Sequence, residues 1–68
     1  MRYYITITGT NTNGLTLAGV VESMGPLGAH IVDATGYATF IPADTVTRVF
    51  CRALGGRIDY STALENAN

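Results

Sequence analysis

The feature that most limits the fold of this chain is its shortage of cross-links. A domain of 68 residues buries only about 60% of the surface that its unfolded chain exposes, so small folds commonly add a disulfide, a metal ion or a partner chain. Cys51 is the only cysteine, which excludes an internal disulfide. Together with the only histidine, His30, it is too little for a structural zinc site, which needs about four ligands. We therefore predict a single domain without metal or other cofactor, and a homodimer.

Charge and hydropathy exclude several classes of protein. The formal net charge is −1, the sequence pI is about 5.5, and all four basic residues are arginines. Nucleic-acid-binding domains usually show a basic patch and a high pI. No apolar run approaches the roughly 20 residues of a transmembrane helix, and the start of the chain, MRYYITIT, lacks the apolar segment of a signal peptide. We expect a cytoplasmic protein that has no membrane partner, and the charge disfavours a nucleic-acid partner.

Hydrophobic periodicity predicts a strand followed by a helix in the first third of the chain. Residues 2–8 alternate between apolar and polar types, as in a half-buried β-strand. In residues 15–25 the apolar side chains fall at i, i+3, i+4 and i+7, which is one face of a helix. These side chains are Leu17, Val20, Val21 and Met24. Gly25 and Pro26 would end that helix.

The remaining pattern completes a βαββαβ order. Residues 27–34 and 37–41 are predicted as strands, and residues 57–60 as a short fourth strand. A second helix would begin at Asp44 or Thr45 and end at Gly55; its buried stripe would be Val46, Val49, Phe50, Ala53 and Leu54. This order predicts an α+β, ferredoxin-like fold over residues 1–60, with a four-stranded antiparallel sheet and two helices on one face. Residues 61–68 are predicted to form a polar tail.

The joint TGTNTNGLT, residues 8–16, lies between the first strand and the first predicted helix. A phosphate-binding P-loop needs a lysine after its glycines, and the chain has none. The spacing of the two glycines also differs from that of a dinucleotide fingerprint. An N-cap by Asn11, Thr12 or Asn13 with a turn at Gly14 explains part of the stretch. A ligand site at the helix N-terminus is the other interpretation.

Two segments resemble the ACT domain family of small regulatory modules. The family's loop pattern falls on Asn11, Gly14 and Leu15, and its second-strand pattern, G-A-[NH]-I, falls on residues 28–31. The first strand is most similar to those of the amino-terminal ACT domains of phosphoserine phosphatases. The resemblance covers about residues 3–36. Asn11 stands where the family usually has aspartate, and Asn13 where it often has proline.

This resemblance implies an ACT-type βαββαβ fold and an amino-acid site at a subunit contact. Backbone N–H groups at the helix N-terminus would bind the ligand's carboxylate. The predicted ligand-binding residues are Asn11, Thr12, Asn13, Gly14, Leu15, His30 and Ile31. His30 has a second interpretation, as a half-buried residue hydrogen-bonded within the strand.

The other chemistry-bearing residues form no catalytic pattern. Cys51 has no base nearby in the sequence, the D-x-D-x-T phosphatase loop is absent, and we predict no catalytic or metal-binding residues. Arg48 and Arg52 lie four apart on the second predicted helix, where they form a solvated face or dock an anion or partner. Tyr37 and Phe40 are three apart and face opposite ways in a strand, which argues against RNA binding through sheet aromatics.

We therefore predict a non-catalytic regulatory module that binds a small metabolite, an amino acid, at a homodimer contact. It would modulate a partner or attached enzyme. The alternative is a ligand-free protein–protein interaction module that acts as a small regulator or inhibitor of a larger complex. An RNA-binding module is a further alternative.

Overall fold

The computed structural model describes residues 2–67, which form one antiparallel sheet and one α-helix. The strands are β1 (Thr6–Thr10), β2 (Thr16–Gly25), β3 (Gly28–Val32), β4 (Ala38–Pro42), β5 (Arg48–Cys51) and β6 (Gly56–Ile58). The helix is α1 (Tyr60–Ala67), and 3₁₀ turns span Ala43–Thr45 and Arg52–Leu54. The strand order in the sheet is β4-β3-β2-β1-β5-β6. Strands β1 to β4 are thus a meander, and the first 3₁₀ turn carries the chain across to the free edge of β1.

One face of the sheet carries the hydrophobic core. Ile7 on β1 and Ile5, just before that strand, alternate with threonines, and β5 places Val49 and Cys51 on the same face. Helix α1 covers this face with Ala63, which is fully buried. The other core residues are Val21, Ala29, Ile31 and Ile41. The opposite face of the sheet has no helix packed on it within residues 2–67, and we call it the open face.

The sheet curls so that β4 crosses over the core side of β1, although the two strands are not neighbours in the sheet. At the crossing, a Cβ added to Gly9 would lie 2.5 Å from Cγ2 of Ile41, so only glycine fits there. Thr45 closes the gap: its hydroxyl accepts a hydrogen bond from the Thr10 amide at 3.3 Å. The same hydroxyl oxygen lies 2.7 Å from the Thr10 carbonyl and 2.8 Å from the Pro42 carbonyl, and it donates to one of them.

The predicted first helix is wrong, because residues 16–25 form strand β2. Leu17 and Val21 lie on the core face with the alternation of a strand. The register between β2 and β3 then shifts between Val21 and Ser23, and this β-bulge returns Met24 to the core side opposite Ala29. The bulge gives Leu17, Val21 and Met24 a helix-like spacing on the core side, whereas Val20, the fourth residue of the predicted helical stripe, lies on the open face. The β-branched valines favour a strand, and the mid-segment Gly19 would weaken a helix.

The predicted ferredoxin-like βαββαβ fold of ACT type is therefore wrong: the sheet has six strands and the described chain one helix. The predicted second helix is also wrong. Its residues form the first 3₁₀ turn, β5 and the second 3₁₀ turn. The strands predicted at 2–8, 27–34, 37–41 and 57–60 are confirmed as β1, β3, β4 and β6, with shifted ends. Residues 61–67, predicted as a polar tail, belong to α1; residue 68 lies outside the described residues.

Candidate functional site

The joint that the sequence singled out is the tight loop of the β1–β2 hairpin, held together by Asn11. The backbone amide of Asn11 donates to the backbone carbonyl of Leu15 at 2.9 Å, and the backbone amide of Gly14 donates to the backbone carbonyl of Asn11 at 3.0 Å. The Asn11 Oδ1 accepts from the amides of Asn13 and Leu15 at 3.0 and 2.9 Å. Gly14 has φ +81°, which glycine adopts without strain. The loop is thus an Asx-type turn.

The β3–β4 loop repeats this arrangement bond for bond. The Asp33 amide donates to the Tyr37 carbonyl, and the Gly36 amide donates to the Asp33 carbonyl. The Asp33 Oδ1 accepts from the amides of Thr35 and Tyr37, both at 2.9 Å. Gly36 has φ +91°. Both loops therefore follow one sequence pattern, an Asn or Asp followed three residues later by glycine, and the pattern encodes a hairpin turn.

The two turns differ in burial and charge. Asn11 is only 4% exposed, and its Nδ2 donates to the Thr39 hydroxyl at 3.2 Å, which ties the loop to β4. Among residues 2–67, Asp33 forms hydrogen bonds only with residues of its own turn. Hydrogen bonds from the Thr35 hydroxyl, and next from the Tyr37 amide, lower the pKa of the Asp33 carboxyl.

The predicted ligand residues are not gathered around one opening. Thr12, Asn13, Gly14 and Leu15 form the exposed tip of the hairpin loop. The Asn11 side chain already uses both of its polar atoms within the protein, and a strand, not a helix N-terminus, follows the loop. Amino-acid binding by these residues stays a prediction, without the helix dipole on which its physical argument depended.

His30 and Ile31 are adjacent on β3, so their side chains lie on opposite faces of the sheet. Ile31 is fully buried in the core. His30 is exposed on the open face, where its ring packs against Phe40 with the centroids 5.0 Å apart. Its Nδ1 lies 3.4 Å from the Ser23 hydroxyl. The packed, hydrogen-bonded arrangement is the one that the second interpretation of His30 describes, although the residue is more exposed than that interpretation expects.

The open face instead carries a trough that crosses the central strands from β5 to the end of β3. Its volume is about 420 Å³. It is lined by Tyr4, Thr6, Thr8, Ala18, Gly19, Val20, Val32, Asp33, Ala34, Arg48 and Phe50. Neighbouring strands are about 4.8 Å apart, so four strands give the trough a length of about 14 Å. About four residues of extended chain cover that distance.

The trough offers both apolar surface and unused hydroxyl groups. Tyr4 is 73% exposed at one end, and Val20 is half-buried in the floor. No side-chain hydrogen bond within residues 2–67 involves the hydroxyl of Thr6 or Thr8. These hydroxyls are therefore available to a bound molecule.

Phe50 forms one end of this trough and is surrounded by basic residues. The guanidinium carbon of Arg48 lies 5.5 Å from the centroid of the Phe50 ring. Arg57 is directly opposite Phe50 in the β5–β6 register, so its side chain lies on the same face. Arg52 lines an adjoining cavity of about 550 Å³ together with Tyr4, Phe50 and Ala53.

The part of the chain that the structure describes contains no group of three or more potential metal ligands. Cys51 is fully buried in the core, where a substrate does not reach it. No helix among residues 2–67 has the length and hydropathy needed to cross a membrane. The sequence already indicated the polar face of β1, since Tyr4, Thr6 and Thr8 alternate with core residues. The strands that pair with β1 could not be predicted from the sequence.

The chain was compared with known proteins at the level of family, sequence and structure. No family model, no curated protein and no solved structure matches it.

Proposed function

We propose that this chain is a non-catalytic protein-interaction module that holds an extended segment of a partner protein in the trough of its open face. The observation that carries the proposal is the trough itself, which crosses four strands and joins apolar side chains to unused threonine hydroxyls. An extended polypeptide presents side chains and backbone amide groups in alternation. The apolar side chains of the trough can contact the former, and its threonine hydroxyls can hydrogen-bond to the latter.

The depth of the trough favours a polypeptide over a small metabolite. Small-molecule sites commonly bury 70–90% of their ligand in a concave pocket. Here the lining residues Tyr4, Ala18, Ala34 and Arg48 are exposed, so a compact ligand would keep much of its surface in water. A longer segment gains contacts along the whole length of the trough. The overall charge of −1 argues against nucleic acid as the occupant.

The shape of the surface also supports a binding role. Four large apolar residues are exposed within residues 2–67; Leu15, Leu27 and Tyr37 lie in hairpin loops, and Tyr4 lies at the trough. Aromatic residues are enriched in the energetically dominant parts of protein interfaces. Tyr4 and Phe50 are thus the anchors that we expect a partner segment to contact first.

Selection from a display library of random 12-residue peptides tests this function. We expect the selected peptides to bind the wild-type chain in calorimetry and to bind the Ala18→Trp variant at least tenfold more weakly. In this variant the new side chain fills the trough from an exposed position of β2. Glu65→Trp, which adds the same bulk on the exposed side of α1, is the matched control and should bind as the wild type does. Thermal melting checks that both variants fold.

Two results would contradict the proposal. The first is a selection that yields no peptide sensitive to Ala18→Trp. The second is concentration-dependent self-association that Ala18→Trp abolishes, because a second copy of the chain would then occupy the trough.

A further inference from the structure

We infer that the Phe50 end of the trough recognises an acidic segment, with carboxylates on both sides of an apolar residue. This inference rests on the proposed function and names the chemistry of the partner. We call Phe50, together with Arg48, Arg52, Arg57 and Tyr4, the Phe50 corner.

The first step is the placement of the arginines. Three of the four arginines of the chain belong to the Phe50 corner, although β5, the second 3₁₀ turn and β6 each contribute only one. Arg48 precedes Phe50 by two residues on the same face of β5, and Arg57 lies beside Phe50 on β6. Three positive charges around one aromatic ring attract anions in a chain that is acidic overall.

In the part of the chain that the structure describes, the side chains of these arginines are not used by the fold as hydrogen-bond donors. No side-chain hydrogen bond within residues 2–67 has an arginine as its donor. Asp33 holds its own turn. Asp59 lines a cleft with Arg48 and Arg57, but its carboxylate accepts hydrogen bonds from Thr62 and Ser61 at the start of α1. A guanidinium presents five donors in a planar fork that fits a carboxylate.

The Phe50 corner also contains an apolar cavity. The cavity of about 550 Å³ between Tyr4, Phe50, Arg52 and Ala53 is bounded by two aromatic rings and a methyl group. Arg48 lies over the Phe50 ring, which limits the freedom of its side chain before a ligand arrives. An apolar side chain of the partner fits this cavity, and carboxylates on either side of it reach the guanidinium groups.

The trough also has a direction. Asp33 lines the end opposite the Phe50 corner, and an aspartate carboxylate is ionised at neutral pH. One end is therefore negative and the other positive. The acidic part of the partner segment belongs at the Phe50 corner, because at the Asp33 end it would meet a like charge.

Labelled synthetic peptides test this inference by fluorescence anisotropy. The probe is a five-residue peptide with two glutamates on each side of one leucine, short enough to stay clear of Asp33, and its counterpart has glutamines in place of the glutamates. We expect the glutamate peptide to bind about tenfold more tightly than the glutamine peptide. Each exposed ion pair changes the affinity about two- to threefold, so the product of three such contributions, one for each arginine, is about tenfold. The advantage should shrink at high salt.

The variants are chosen to separate the corner from general charge. Arg57→Gln should weaken binding of the glutamate peptide about two- to threefold and leave the glutamine peptide unchanged. The matched control is Arg2→Gln, which removes the same charge from a residue that lines none of the clefts described above and should leave both affinities unchanged. Combined replacement of Arg48, Arg52 and Arg57 by glutamine should remove the whole tenfold advantage.

Equal affinity for the two peptides would overturn the inference, as would an Arg2→Gln effect as large as that of Arg57→Gln. Tighter binding of a twelve-nucleotide thymidine strand than of the glutamate peptide would also overturn it and assign the corner to nucleic acid. Failure of this inference can be distinguished from failure of the proposed function. If the library-selected peptides contain no acidic residues but their binding remains sensitive to Ala18→Trp, the proposed function stands and only the acidic preference is wrong.

Discussion

Replacement of Asn11 by alanine should destabilise the fold far more than the same change at Asn13, two residues away. The Asn11 side chain is 4% exposed and forms three hydrogen bonds, two to backbone amides and one to Thr39. Asn13 is exposed at the tip of the loop, and none of the side-chain hydrogen bonds within residues 2–67 uses its side-chain amide. The sequence presents the two asparagines as equivalent, whereas the structure makes one of them the centre of the loop.

The expected magnitude comes from the bonds that are lost. Each hydrogen bond contributes about 0.5–1.5 kcal/mol to stability, and the amides of Asn13 and Leu15 regain water because the tip is exposed. We therefore expect Asn11→Ala to lower the free energy of unfolding by about 2 kcal/mol. For a domain of this size the melting temperature would fall by roughly 8–16 °C. Asn13→Ala should change the free energy of unfolding by less than about 0.5 kcal/mol.

Urea denaturation followed by circular dichroism measures both variants. Thr39→Val removes only the Nδ2 bond and should lower the free energy of unfolding by about 1 kcal/mol in the wild type. In the Asn11→Ala background it should have a smaller effect, because the bond is already absent. Equal destabilisation by Asn11→Ala and Asn13→Ala would refute the assignment of Asn11 as the residue that holds the loop.

Three further changes test the packing of the fold. Gly9→Ala should destabilise by about 1–3 kcal/mol in the same assay, because the new Cβ would lie 2.5 Å from Cγ2 of Ile41; unchanged stability would mean that β4 does not cross β1 this closely. Tyr60→Phe removes the 2.7 Å bond from the Tyr60 hydroxyl to the Gly25 carbonyl and should lower the free energy of unfolding by about 1 kcal/mol. Burial raises the pKa of Tyr60, so its contribution is present below the unfolded pKa of about 10 and is lost as the pH rises through the folded pKa; Tyr60→Phe should flatten the alkaline end of a stability–pH profile, and an unchanged profile would contradict this. Hydrogen bonding from Thr62 lowers the pKa of Asp59, so its contribution is present above the unfolded pKa and lost as the pH falls through the folded one; Asp59→Asn should flatten the acid end, where a steeper profile would contradict the reasoning.

The strands with strict alternation were predictable from sequence, and the long β2 was not. In β1 the burial pattern follows the alternation of side chains directly. In β2 the bulge after Val21 places Met24 on the core side, so that Leu17, Val21 and Met24 have a helix-like spacing although they lie on a strand. A pattern of apolar residues records which side chains are buried. It does not record a register shift, so the helix and the bulged strand were indistinguishable by periodicity alone.

The loop at residues 8–16 was interpreted without reference to the similar loop that follows Asp33. The sequences around Asn11 and Asp33 share the spacing to Gly14 and Gly36, and each glycine has positive φ. Read together, the two copies predict two hairpin turns, which is the strongest local evidence against helices in the first half of the chain. The buried role of Asn11 was beyond sequence, because its partner Thr39 is 28 residues away.

The surface that we assign to binding was visible only in part. The alternation of β1 shows that Tyr4, Thr6 and Thr8 face away from the core. The arrival of β5 beside β1, which brings Arg48 and Phe50 to the same surface, depends on the 3₁₀ turn that follows β4. On the predicted helix, Arg48 and Arg52 appeared as a pair four residues apart. On the sheet they surround Phe50.

Amide chemical shifts of the isotopically labelled chain, recorded during titration with a library-selected peptide, test the central claim most directly. The account predicts that the largest shift changes lie at Thr6, Thr8, Val20 and Phe50, on the floor and at one end of the trough. It also predicts that Ala18→Trp abolishes these changes and that Glu65→Trp does not. Shift changes centred on residues 11–15 and His30, with the trough unaffected, would contradict it.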